Sequence, residues 1–156
     1  MTPVFVPTDP REPPASEFLA SMTEEMRALY GRPDRLDRPH LDPADLWGPD
    51  GVYLVGWVDD QAVAGGGVRR LGPGLGEVKR MYVRPEYRSR GVAGALLGAL
   101  EEGARVLGYH VVRLDTGPLQ PHARRLYETA GYVEVPAYND NPYAAFWGEK
   151  DLGSAP

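Results

Sequence analysis

Apolar residues set the first element. Phe18, Leu19, Met22, Met26, Leu29 and Tyr30 recur at helical spacing, so 16 to 30 reads as an amphipathic helix opening at Ser16. Gly31 and the prolines at 33, 39, 43 and 49 then break the period, and 31 to 50 reads as a loop with one helical turn after Asp42, near Leu46 and Trp47. From Val52 the texture turns β-rich. Val52 to Val58, Ala62 to Leu71 and Gly76 to Val83 read as a three-strand meander, with turns at Asp59-Asp60 and Gly72-Pro73-Gly74. Val92, Leu96, Leu100, Gly103 and Leu107 then fall on one helical stripe, and the helix from about Gly91 to Leu107 stops at Gly108. Val111, Val112 and Leu114 predict another strand, Pro121 to Ala130 a second helix stopped by Gly131, and Tyr132 to Val135 with Ala144 to Leu152 two final strands. A crossover helix between the strands at 76 to 83 and 110 to 116 predicts that they lie adjacent and parallel.

A chain of 156 residues suits one domain. Residues 1 to 15, with five prolines, read as an extended arm, and 16 to 156 as the domain, with order beginning near Ser16. The longest Gly-and-apolar run, Gly91 to Leu100, is far short of the roughly 18 residues that span a bilayer. Residues 1 to 14 show no basic-then-apolar leader, so the expected location is cytoplasmic, without membrane contact. The absence of cysteine excludes disulfides, a thiolate zinc site and a cysteine nucleophile. His40, His110 and His122 form no metal-ligand pair, and no metal is expected.

The net charge of −5 conceals a local feature. Arg69, Arg70, Lys79, Arg80, Arg84, Arg88 and Arg90 face only Glu77 and Glu86, a basic stretch suited to a small anion or simply an exposed strand edge. Nucleic-acid binding through it is disfavoured by the acidic chain as a whole. The stretch runs from a strand through a short loop into a helix, whose first N–H groups lack intrahelical partners and make an anion site. Small residues at Gly91, Ala93 and Gly94 admit a phosphate to the main chain, and Arg88 and Arg90 add charge, so a pyrophosphate fits. The G-x-G-x-x-G fingerprint after a strand, the P-loop and G-x-S-x-G are all missing.

Arg88 to Ala93 has the form R-x-x-G-x-A, preceded by Met81-Tyr82-Val83-Arg84-Pro85 and followed by a Leu-rich helix. Some thirty residues later Ala123 to Tyr132 has the form A-x-x-L-Y-x-x-x-G-[FY]. Together, in this order on this frame, the motifs resemble the GNAT superfamily of acetyl-CoA-dependent N-acetyltransferases, over Gly51 to Leu152. The resemblance implies an α/β fold of the α+β type, a mixed twisted sheet with an antiparallel meander, then a parallel strand–helix–strand unit, flanked by helices. It implies acetyl-CoA as co-substrate, a small-molecule amine or peptide N-terminus as acceptor, direct attack in a ternary complex, and a monomer or homodimer. A sensor or scaffold that binds acyl-CoA without transfer is the alternative.

The resemblance also implies roles. Met81, Tyr82 and Val83 would pair with pantetheine through their backbone; Arg88, Ser89, Arg90, Gly91, Val92, Ala93 and Gly94 would cradle the phosphates. Gln120 stands where relatives carry an Asn on the pantetheine arm, which puts that contact in doubt. Tyr127 would be the general acid that protonates the leaving thiolate. Glu77, eleven residues before Arg88, would take the amine proton through water, or instead be a strand carboxylate paired with Arg80 or Lys79. The acceptor pocket would form from the first helices and from the segment between the last two strands, where Asp140 would hold the cation and Tyr138 and Tyr143 wall the acceptor, unless Asn-Asp-Asn-Pro is turn chemistry alone.

Overall fold

The computed structural model describes residues 2–31 and 41–153. Strand β1 (Val4–Pro7) precedes helix α1 (Ala15–Tyr30), and a 3₁₀ turn at Pro43–Leu46 leads into the meander β2 (Val52–Val58), β3 (Gln61–Gly72) and β4 (Leu75–Val83). A second 3₁₀ turn, Pro85–Tyr87, opens onto α2 (Val92–Val106), followed by β5 (Val111–Thr116), α3 (Pro121–Thr129), β6 (Val133–Glu134) and β7 (Phe146–Asp151). The strands form one sheet in the order β1-β2-β3-β4-β5-β7-β6. Its pairs are antiparallel except β4–β5, parallel across α2 as the strand–helix–strand order predicts.

One feature departs from the sequence reading, and two others fill it in. Order does not begin at Ser16: Val4–Pro7 of the expected arm is extended but paired, with Val4 opposite Trp57 and Pro7 opposite Leu54, and forms the sheet edge. Proline is tolerated there because an edge strand leaves half of its N–H groups outside the ladder. β7 inserts between β5 and β6, so the final hairpin sits with its second strand inward. The loop expected over 31 to 50 lies partly outside the described residues, His40 included, whereas the turn after Asp42 is present, its carboxylate accepting from the Ala44 N–H at 2.9 Å.

Both sheet faces are covered. Tyr53 and Val55 of β2 pack beneath α1 with Phe18 and Leu46, while Leu54 points to the opposite core under α2, the period of two expected of a strand. The stripe Val92, Leu96, Leu97, Leu100 and Ala104 is wholly buried. Glu101 shares that side of α2, its carboxylate held by Lys150 Nζ at 3.0 Å and by the Tyr132 hydroxyl at 2.9 Å.

Burial raises the phenol pKa of Tyr53, Tyr127, Tyr132 and Tyr138 well above the ordinary 10, foremost by desolvation. The folded state thus keeps protons that the unfolded chain releases. Stability from this source is complete below pH 10 and falls as pH rises beyond it, by about 1.4 kcal/mol per pH unit for each phenol. Urea midpoints measured from pH 8 to 11 should hold level and then drop; a midpoint unchanged at pH 11 contradicts this.

The sheet opens where β4 leaves β5. Only Leu75–Val111, Gly76–Val112 and Glu77–Arg113 are paired, and beyond Glu77 the strands have no ladder. On its other side β4 stays with β3, but the register slips between Gly65 and Gly67, and the residue opposite the slip, Arg80, has φ +60°. This bulge bends β4 away from β5.

Candidate active site

A cavity of about 560 Å³ fills the opening. Val78 to Val83 line one side, Asp115, Thr116 and Gly117 the other, with Leu126 and Tyr127 of α3 and Met22, Met26 and Tyr30 of α1 closing it. Because β4 lacks a partner here, the backbone of Met81, Tyr82 and Val83 faces the cavity with no strand to bond on the β5 side. At its mouth, Arg88, Ser89, Gly91, Ala93 and Gly94 contribute to the lining.

The loop before α2 carries the anion geometry. Ser89 at φ +62° and Gly91 at φ +82° turn successive N–H groups into a concavity, and Gly91 is the helix N-cap with no side chain bonded there. Among the described residues the N–H groups of 89 to 94 have no hydrogen-bond acceptor, whereas that of Ala95 already bonds Gly91 O at 3.2 Å. The arginines stand differently from expectation. Arg88 donates through Nε to Val83 O and through Nη2 to Glu25, each at 2.8 Å, and lies over the Tyr82 ring. It thereby ties α1 to the loop. Arg90 stacks on Tyr87 outside the lining, and Val92 gives its side chain to the core, leaving only its N–H for the site.

Tyr127 is 8% exposed, packs against Tyr132, and has its hydroxyl 4.0 Å from Met81 Sδ. Burial first, and then the negative charge of Asp115, push its pKa up, so the phenol stays protonated. Gln120 spends its carbonyl within the fold, accepting from the Tyr30 hydroxyl at 3.2 Å and the Gly117 N–H at 3.3 Å. Glycine at 117 is required by close approach, since a Cβ would run into the Tyr30 hydroxyl.

Glu77 is fully buried and does not line the cavity. Its Oε1 accepts from Arg69 Nε at 2.8 Å, its Oε2 from the Tyr138 hydroxyl at 2.7 Å, and Lys79 Nζ lies 3.3 Å away. The carboxylate is thus an ion-pair centre, with Lys79, one of the two expected partners, joined by Arg69. Glu77→Ala should cost about 3–5 kcal/mol, because it strands the Arg69 guanidinium and the Tyr138 phenol in a largely buried setting and leaves Lys79 with Asp115 alone. Urea unfolding checks this; a loss below 1 kcal/mol would contradict it.

Of the three acceptor residues expected from the last hairpin, Tyr143 lines the cavity. Tyr138 is drawn inward to Glu77 beneath the Arg113 guanidinium, and Asp140 is exposed outside the lining. Asp115 and Thr116, which face the cavity, are not singled out by sequence; Arg69 reads there only as part of the basic stretch, and the α1 stripe lies where the resemblance puts the first helices. Met22, Met26 and Tyr30 do follow a helical period, but that period equally describes a core face. Among the described residues no group of three or more His, Asp or Glu could hold a metal, and no helix is long and apolar enough to cross a membrane.

The comparisons agree with this geometry. Residues 19–132 match the model of the Acetyltransferase (GNAT) family. The chain is 31% identical over 147 residues to an IAA acetyltransferase of Azospirillum brasilense, covering 91% of this chain and 95% of that one. A Klebsiella pneumoniae structure assigned as an acyl-CoA N-acyltransferase superposes with a TM-score of 0.76 at 26% identity, covering 97% of this chain and 98% of that one. A GNAT acetyltransferase of Elizabethkingia anophelis, solved with acetyl-CoA bound, shares the fold at a TM-score of 0.68 and 13% identity, covering 96% and 98% of the two chains. With the opened β4–β5 pair, the free N–H loop and the buried Tyr127 already in place, the matches close the case: this chain belongs to the GNAT family and is an acetyltransferase.

Proposed function

We propose that the protein moves the acetyl group of acetyl-CoA directly to a primary amine of a small molecule, both substrates being bound together. The observation that carries this is the buried Tyr127 side chain lining the cavity at the point where β4 and β5 part. The residues fit acetyl-CoA, which supplies an acetyl group activated as a thioester. The free N–H groups of 89 to 94 suit its phosphates, and the unpaired edge of Met81 to Val83 suits the amides of its arm. A backbone N–H of that edge can also polarise the thioester carbonyl. Tyr127 keeps a proton ready for the departing sulfur.

The amine must lose a proton before it attacks, since an alkylammonium has a pKa near 10.4. The carboxylates lining the cavity among the described residues are Glu25, engaged by Arg88, and Asp115, engaged by Lys79 and Asn139 but close enough to Tyr127 for its charge to act on the phenol. Asp115 is the group we assign to the ammonium charge, with water carrying the proton away. With no cysteine in the chain, direct transfer is favoured over a thioester on the enzyme. Initial rates with both substrates varied test the order of events. Intersecting double-reciprocal lines are expected, and parallel lines would overturn the ternary-complex assignment.

A further inference from the structure

The part of the cavity left for the acceptor has an apolar wall and a charged floor. Met22, Met26 and Tyr30, one helical turn apart on α1, supply the wall. The floor is a chain of ion pairs: Arg69 Nε to Glu77 at 2.8 Å, Lys79 Nζ to Glu77 at 3.3 Å, and Lys79 Nζ to Asp115 at 3.3 Å. Cation and carboxylate alternate along this chain, with Glu77 behind the lining, so it presents both a positive and a negative group to a ligand.

Arg69 shows where the negative end belongs. Its Nε is committed to Glu77, but its two Nη groups have no acceptor among the described residues, although the side chain is only 20% exposed and lines the cavity. A guanidinium fixed at one edge with its fork open matches a carboxylate in two parallel hydrogen bonds. Asp115, also lining, offers the negative partner for an ammonium, its position fixed by Asn139 Nδ2 at 2.7 Å and Lys79. A separate observation points to a polar ligand. The hydroxyls of Thr116 and Tyr143 are buried without a partner among the described residues, and both residues line the cavity. A buried hydroxyl left unbonded is costly, and a bound polar group relieves that cost.

We propose that the acceptor is an α-amino acid with an apolar or aromatic side chain, its carboxylate on Arg69, its amino group at Asp115 and its side chain against Met22, Met26 and Tyr30. This rests on the amine transfer proposed above and names its substrate class. In the reaction the ammonium gives one proton to solvent, the amino nitrogen bonds the acetyl carbon and sheds a second proton as the intermediate collapses, the carbon–sulfur bond breaks, and the sulfur leaves as the thiol with the proton of Tyr127. The second amine proton, passed through solvent, restores Tyr127. The products are the N-acetylamino acid, CoA and one proton.

The test compares leucine, methionine and phenylalanine with their carboxamides, using kcat/KM from thiol release with the product identified by mass. An amino-acid amide has an amine pKa near 8, so more of it is deprotonated at neutral pH and chemistry alone favours the amide. A preference for the free acid must therefore come from binding the carboxylate. The expected preference is about 10- to 100-fold, the range for charged hydrogen bonds. In Arg69→Lys, which retains a cation for Glu77 but loses the fork, the ratio should fall toward one. Amides acetylated as well as the acids by the parent enzyme overturn the proposal without any variant, as does a ratio unmoved in a folded Arg69→Lys. If other amines are acetylated and none of the three acids is, the substrate class fails while amine transfer stands. If no amine is acetylated, amine transfer itself fails.

Discussion

Tyr127→Phe should lower acetyl transfer by about 10²- to 10⁴-fold, the usual span for general acid–base catalysis, with acetyl-CoA affinity nearly intact. The substitution separates the two things this side chain does. As a ring it belongs to the core, 8% exposed and packed on Tyr132, and phenylalanine keeps that packing. As a hydroxyl it makes only a long contact, 4.0 Å, to Met81 Sδ, so little stability is tied to it and the melting temperature should scarcely change. The pH profile carries a second signature. Because burial and Asp115 hold the phenol pKa well above 10, no loss of rate near pH 10 should belong to Tyr127 ionising. A variant that acetylates a good amine at the parent rate leaves water as the acid and removes Tyr127 from the chemistry.

Gly91→Glu should weaken acetyl-CoA binding about a hundredfold or more while costing only about 1–2 kcal/mol of stability. The two effects have different origins. Gly91 sits at φ +82°, where a side chain is strained by roughly that amount, yet nothing lies within 4 Å of the position its Cβ would take. The new carboxylate therefore has room to stand, and it stands among the unbonded N–H groups of 89 to 94. There it competes for the donors and sets like charge against a phosphate, a juxtaposition that costs several kcal/mol. Calorimetric titration with CoA, alongside urea unfolding, reads both quantities. Unchanged affinity would show that the phosphates bind elsewhere.

The parts legible in the sequence are those whose cause is local. The α2 stripe announces its own buried face, and the order strand, helix, strand fixes β4 and β5 as parallel neighbours. Ser89 and Gly91 lie in a motif whose spacing is itself the signal. The parts not legible depend on distant partners. Val4-Phe5-Val6 becomes a strand because β2 has an edge to fill, and the surrounding prolines disguise it. Glu77 is fully buried because Arg69, Lys79 and Tyr138 converge on it; the sequence offers Lys79, two residues on, but carries no mark of Arg69 or Tyr138, eight and 61 residues away. The bulge at Arg80, which opens the site, puts a non-glycine residue at positive φ and so leaves no glycine to read. Met22, Met26 and Tyr30 illustrate a further ambiguity, since apolar periodicity marks a covered face without telling a protein core from a ligand.

The most direct measurement follows free thiol and acetylated product together, with acetyl-CoA and a panel of primary amines that includes free amino acids. The account predicts thiol release that depends on the amine and is matched, mole for mole, by an N-acetylated product. Thiol release indifferent to every amine, or CoA binding with no transfer to any of them, would contradict it.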